Sequence, residues 1–160
     1  MDEYAEIALE QAIRLNPSHA SSFCCLGHVY KRQDKDIAAR QSYQQALECD
    51  PHSIEAGLNL AELMKKSRET QGAFSLLQSM LETQPYEAEL LVMAATLAQE
   101  LGDSQQAIRY AEQAHALASH LSTPLEILGD EALEKKVYPA AEKHYRAWLD
   151  QDPGNPDPHY

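Results

Sequence analysis

The chain has no run of about 18 apolar residues, the length a bilayer-crossing helix needs. No membrane segment and no membrane partner is therefore expected. Basic residues are also scarce: 13 Lys and Arg stand against 25 Asp and Glu, a net charge of −12. A phosphate-binding surface needs a basic stripe, so nucleic acid is not an expected partner. A basic or amphipathic protein segment fits the charge better. Cysteine is limited to Cys24, Cys25 and Cys49. An odd number without framework spacing favours a reducing compartment, and a cytoplasmic location is expected. Met1 to Glu6 is acidic and lacks the apolar core of a secretion signal. Runs of β-branched residues are few, which leaves little for a sheet. G-x-S-x-G, P-loop, H-E-x-x-H and G-x-G-x-x-G patterns are all missing. No enzymatic activity and no cofactor is expected.

What the chain has is a period. Pro17, Pro51, Pro85 and Pro153 lie on one 34-residue grid, whose remaining point holds Ser119. Gly27, Ala61, Ala95 and Gly129 lie on a second grid, and Ala5, Ala39, Ala73, Ala107 and Ala141 on a third. A fixed period of this size marks a stacked array of small units, not one globular core.

Each period reads as two helices. In residues 20–53, Phe23, Leu26, Gly27 and Tyr30 share one helical face. Gln33 to Asp36 breaks the pattern. Ala39, Tyr43, Ala46 and Leu47 then form a second stripe, and Pro51 ends the unit because it cannot donate to a helix ladder. Ser53 is placed to cap the next helix. The same frame fits residues 54–87, 88–121 and 122–155, while 1–19 carries only a second helix. Small residues on the second and third grids let paired helices approach closely. A large side chain there would overpack the contact, at about 1–3 kcal/mol.

This frame resembles the tetratricopeptide repeat, which has a bulky residue, Leu-Gly, an aromatic, then Ala, an aromatic, Ala and Pro at fixed offsets. Phe23, Leu26, Gly27, Tyr30, Ala39, Tyr43, Ala46 and Pro51 match every offset. The resemblance implies an all-α, right-handed α-solenoid of about nine helices. It forms a single array over 1–155, with 156–160 as a tail or the start of a further repeat.

The resemblance further implies a concave groove lined by the first helix of each repeat. Repeat one would contribute Ser21, Cys24, Cys25, His28 and Arg32. In the later repeats Leu58, Val92, Met93 and Ile127 would form an apolar strip, flanked by Asn59, Glu62, Glu126 and Asp130. These eight residues are the expected partner contacts, and an amphipathic or extended segment with basic flanks is the expected ligand. Chaperone-binding members of the family clamp a C-terminal carboxylate with Lys, Asn and Arg. Here those offsets hold Cys24, His28, Asn59, Glu89 and Met93. Without cationic donors such a clamp is not expected.

Other candidates carry less. Cys24 and His28 share a helix face but lack two further metal ligands. Glu131, Glu134, Lys135 and Lys136 read as a solvated face, and His115 and His144 as surface residues. Two further functional readings remain. Tyr145 to Leu149, with the following residues to Pro156, resembles array ends that lead into methyltransferase-type domains, which implies an accessory part of an enzyme. The first helix, with Tyr4, Ile7, Ala8 and Ile13 left uncovered, would allow a homodimer through the array end. Trp148 stands at the small Ala46/Ala114 position and is expected to cover the other end.

Overall fold

A computed structural model describes residues 2–151. Among them are nine helices and no strand: α1 (Asp2–Leu15), α2 (Ala20–Arg32), α3 (Asp36–Cys49), α4 (Ile54–Lys66), α5 (Thr70–Thr83), α6 (Ala88–Glu100), α7 (Ser104–Leu117), α8 (Thr123–Glu134) and α9 (Tyr138–Gln151). Pro153 and the tail 156–160 lie outside the described residues. The chain divides into two compact units at the grid proline Pro85, Met1–Gln84 and Pro85–Tyr160. In the first, α1 packs on α2, α2 on α3, α3 on α4 and α4 on α5. In the second, α6 packs on α7, α7 on α8 and α8 on α9, with α6 beside α8.

The grids become contacts. A Cβ at Gly27 would stand 2.6 Å from the Tyr43 ring, and one at Gly129 would stand 2.7 Å from the Tyr145 ring. Each tyrosine follows its glycine at the same offset in sequence. That offset also couples Ala61 with Leu77 and Ala95 with Ala111, all four fully buried. In two hairpins glycine thus meets the ring of a tyrosine, and where the first helix carries alanine the residue at the same offset is the smaller leucine or alanine, as close packing of the hairpin interior requires.

The turns inside the repeats share a geometry that residue types do not advertise. Asp34, Arg68, Gly102 and Lys136 hold the same position in successive repeats, and all have left-handed backbone with φ of 56°, 63°, 75° and 58°. After each, the next amide donates back to the first helix: Lys35 to the Tyr30 carbonyl, Glu69 to Met64, Asp103 to Ala98 and Val137 to Ala132, at 2.8–2.9 Å. This Schellman closure satisfies carbonyls that a helix end leaves open. Ser53 caps α4 as expected, its hydroxyl accepting from the Ala56 amide. Asp103 does the same for α7 through the Gln106 amide at 3.1 Å. The accepted bonds hold its carboxyl below the usual carboxylate range.

Three expectations are corrected by the packing. Glu131 is not solvated: it is 3% exposed, and its Oε2 has no hydrogen-bond partner. It stands on the 34-residue grid of Val29, Leu63 and Leu97, all buried, so the helix turns it into the interior. The other charged residues of that face, Glu134, Lys135 and Lys136, are exposed. His115 and His144 are half-buried, not surface residues. They stand on the grids of Leu81 and Tyr110, both of which are buried.

Candidate functional site

In the first unit, the α2 and α4 faces are joined side chain to side chain. Lys31 Nζ donates to Asn59 Oδ1 at 3.2 Å and also to the Glu62 carboxylate. His28 Nε2 and Glu55 Oε1 lie 3.0 Å apart, and the His28 ring stands edge-on to Tyr43 with centroids 5.5 Å apart. Asn59 Nδ2 donates to its own helix at the Glu55 carbonyl. Leu58 and Asn59 are half-buried, and Glu62 is exposed. These acids therefore already have intramolecular cations or donors against them.

The second unit repeats one of these rungs. Gln99 Nε2 donates to Asp130 Oδ2 at 3.3 Å, and Lys31–Glu62 has the same separation in sequence. Asp130 also accepts from the Tyr145 hydroxyl, 2.5 Å away, and so links α8 to α6 and α9. Val92, Met93 and Glu126 are half-buried. Ile127 departs from expectation: at 3% exposed it belongs to the α8 core together with Leu125 and Leu128. Its side chain has almost no area left to offer a ligand.

Cys24 departs in the same way. It is buried with Ala46 and Ala56, its Sγ lies 3.8 Å from the Ser53 hydroxyl, and burial pushes its thiol up. A thiol in that state is a packing group, not a nucleophile. Cys25, one position on, is exposed, as adjacent helical positions require. All three cysteines are free. Among the described residues, no group of three His, Cys, Asp or Glu side chains could hold a metal ion. None of their helices is long and apolar enough to cross a membrane.

The residues missed at the sequence level are the bridging donors Lys31 and Gln99. Their signal was present: Lys31, Lys65 and Gln99 recur at 34-residue spacing, immediately before the groove offset of Arg32. The tetratricopeptide pattern draws the eye to packing positions, and these donors lie between packing and groove.

Solved structures share the fold at low sequence identity. PilF of Pseudomonas aeruginosa superposes with a TM-score of 0.85 at 18% identity, over 96% of this chain and 70% of its own. MamA (residue 41 to its end) from Desulfovibrio magneticus RS-1 gives 0.80 at 14%, over 98% and 88%. YrrB, described as a TPR protein with an unusual peptide-binding site, gives 0.78 at 20%, over 92% and 76%. No curated protein matches in sequence. The all-α tetratricopeptide fold expected from the 34-residue grids is thus the fold of the chain. Residues 3–123 match the family model of the cytochrome c-type biogenesis protein H TPR domain, and the chain belongs to that family.

Proposed function

We propose that the chain is a non-enzymatic scaffold whose first-helix faces hold a segment of another protein. In the first unit the contacts are Leu58, Asn59 and Glu62. In the second they are Val92, Met93, Glu126 and Asp130, with Ile127 supporting them from the core. The observation that carries this reading is a register. Leu58 and Val92 hold the same position in successive repeats, Met93 follows directly, and all three are half-buried apolar side chains on first helices. Apolar area kept partly open at a repeated offset, beside acids, suits an amphipathic or basic segment.

The rungs refine the ligand. Lys31 neutralises Glu62 and donates to Asn59 from within, so a basic ligand must displace it or contact the acid from the far side. A C-terminal carboxylate is a poor fit to a face whose cation is already engaged. YrrB, with its described peptide-binding site, supports the reading by fold. The family's description supports a ligand that belongs to cytochrome c-type biogenesis.

The test is capture from the source cell's lysate by wild type and Met93→Glu in parallel, read by mass spectrometry. A protein retained by the wild type and lost with Met93→Glu is the ligand. Identical captured sets would end this reading.

A further inference from the structure

Tyrosine holds the same grid point in the first and fourth complete repeats, at Tyr43 in α3 and Tyr145 in α9. The Tyr145 hydroxyl donates to Asp130 Oδ1, 2.5 Å away. The Tyr43 hydroxyl belongs to a fully buried side chain and has no hydrogen-bond partner. His28 precedes Tyr43 by the same 15 residues that separate Asp130 from Tyr145. Aspartate Oδ1 and histidine Nδ1 branch from the same side-chain carbon, so His28 can bring an acceptor to the place where Asp130 brings one. In the structure it is turned elsewhere. Its ring stands edge-on to Tyr43, and Nε2 lies 3.0 Å from Glu55 Oε1. The imidazole thus has two competing partners, an exposed carboxylate and a buried hydroxyl.

The state of Glu55 follows from that choice. Glu55 and Glu62 both stand on α4 and meet side chains of α2. Glu62 is paired with Lys31 and Glu55 with His28. Lysine keeps its charge between pH 5 and 8, and histidine does not. The charged and titratable groups set against Tyr43 are Cys24 from α2 and Glu55 and Glu62 from α4. The acids of α1, Glu6 and Glu10, act on Tyr30 instead. Burial, with Cys24, Glu55 and Glu62 adding to it, pushes the Tyr43 phenol up, so it remains a hydroxyl with a proton to donate.

We propose that Glu55 receives a basic side chain of the bound segment, and that His28 opens it by turning from Glu55 to the Tyr43 hydroxyl. This rests on the first-helix reading above. A neutral ring loses little on leaving an exposed carboxylate, whereas a buried hydroxyl without a partner is costly, so the neutral ring turns inward. A protonated ring gains from Glu55, and burial beside the hydroxyl would desolvate its charge, so it stays outward. Acid therefore covers Glu55 with an internal cation. A basic segment binds at neutral and higher pH and is released as His28 takes up its proton.

The test has two arms, both on the full chain. In the first, histidine-labelled protein is followed by NMR at pH 8 and pH 5.5. A Tyr43 hydroxyl proton protected from exchange and coupled to His28 Nδ1 is expected at pH 8. It should be absent at pH 5.5 and in Tyr43→Phe. In the second arm, a labelled amphipathic helix of leucine and lysine is titrated with the chain and read by fluorescence anisotropy. Wild-type affinity should fall about fivefold from pH 8 to pH 5.5, the worth of one exposed ion pair. His28→Asn keeps a neutral Oδ1 for Tyr43 at both pH values, so its affinity should not change with pH. Glu55→Gln should bind with the weaker affinity at both. A Tyr43 proton indifferent to pH overturns the gate and leaves the first-helix reading standing. So does wild-type binding whose pH dependence matches that of His28→Asn. A chain that binds the peptide at neither pH, with the Tyr43 proton switching as expected, overturns the role of Glu55 together with the first-helix reading.

Discussion

Glu131 is an acid buried where its counterparts are apolar. Its carboxyl lies in an interior where the three other repeats place Val29, Leu63 and Leu97, and one oxygen has no partner. An unsatisfied buried polar group costs about 1–3 kcal/mol, and more when charged. Glu131→Leu should therefore raise stability by about 1–3 kcal/mol, read as the free energy of unfolding in urea. Unchanged or lowered stability would mean that the carboxyl has a role in holding the second unit. The glycine–tyrosine pairs give the opposite sign. Alanine at 27 gains about 1 kcal/mol in helix propensity but drives its Cβ into the Tyr43 ring. Overpacking of about 1–3 kcal/mol should outweigh that gain, for a net loss of up to about 2 kcal/mol. The double change Gly27→Ala with Tyr43→Leu copies Ala61 and Leu77 and should recover most of that loss in a thermal melt. A double variant no better than the single one would contradict the size-matching account.

The helical hairpin is the element that repeats, and its turn shows where sequence reading stops. Grid prolines, alanines and the Gly/Ala points made the helices legible, because packing restricts residue type there. The left-handed turn position was not legible: it holds Asp34, Arg68, Gly102 and Lys136, and only one of these is the residue that φ above zero favours. Backbone hydrogen bonds fix that turn, so a strained residue is tolerated. Lys136→Gly relieves a left-handed cost of about 1–2 kcal/mol against a glycine entropy of about 0.5–1. A gain of about 0.5–1 kcal/mol is expected in the same urea unfolding measurement. In α9, burial, with Lys143 and His115 adding to it and Glu112 opposing, holds His144 below the ordinary histidine value of 6.5. The folded state thus disfavours the charged ring. Its contribution is present above pH 6.5 and is lost as pH falls below that value. Melting temperature should drop between pH 7 and pH 5.5, and His144→Gln should flatten the drop.

Across the molecule, the fold was legible in the sequence and the candidate faces only partly so. Period and register place Leu58, Val92 and Met93 on first helices and leave them half-open. They do not reveal that Ile127, at the same kind of offset, is core. Burial there depends on how α8 is seated among its neighbours, and a one-dimensional pattern does not carry that. Nor did counting acids show that Glu62 and Asp130 are tied to Lys31 and Gln99, since a contact between residues so far apart in sequence exists only once the helices stack. The two units each present such a face.

On the reading proposed above, the open apolar side chains on the first helices bind a partner. The most direct measurement is calorimetric titration of the captured segment into wild type, Met93→Glu and Ile7→Glu, with helicity checked by circular dichroism. At least a tenfold loss of affinity, about 1.4 kcal/mol, is expected for Met93→Glu at unchanged helicity, and wild-type affinity for Ile7→Glu. Equal affinity for wild type and Met93→Glu would contradict it.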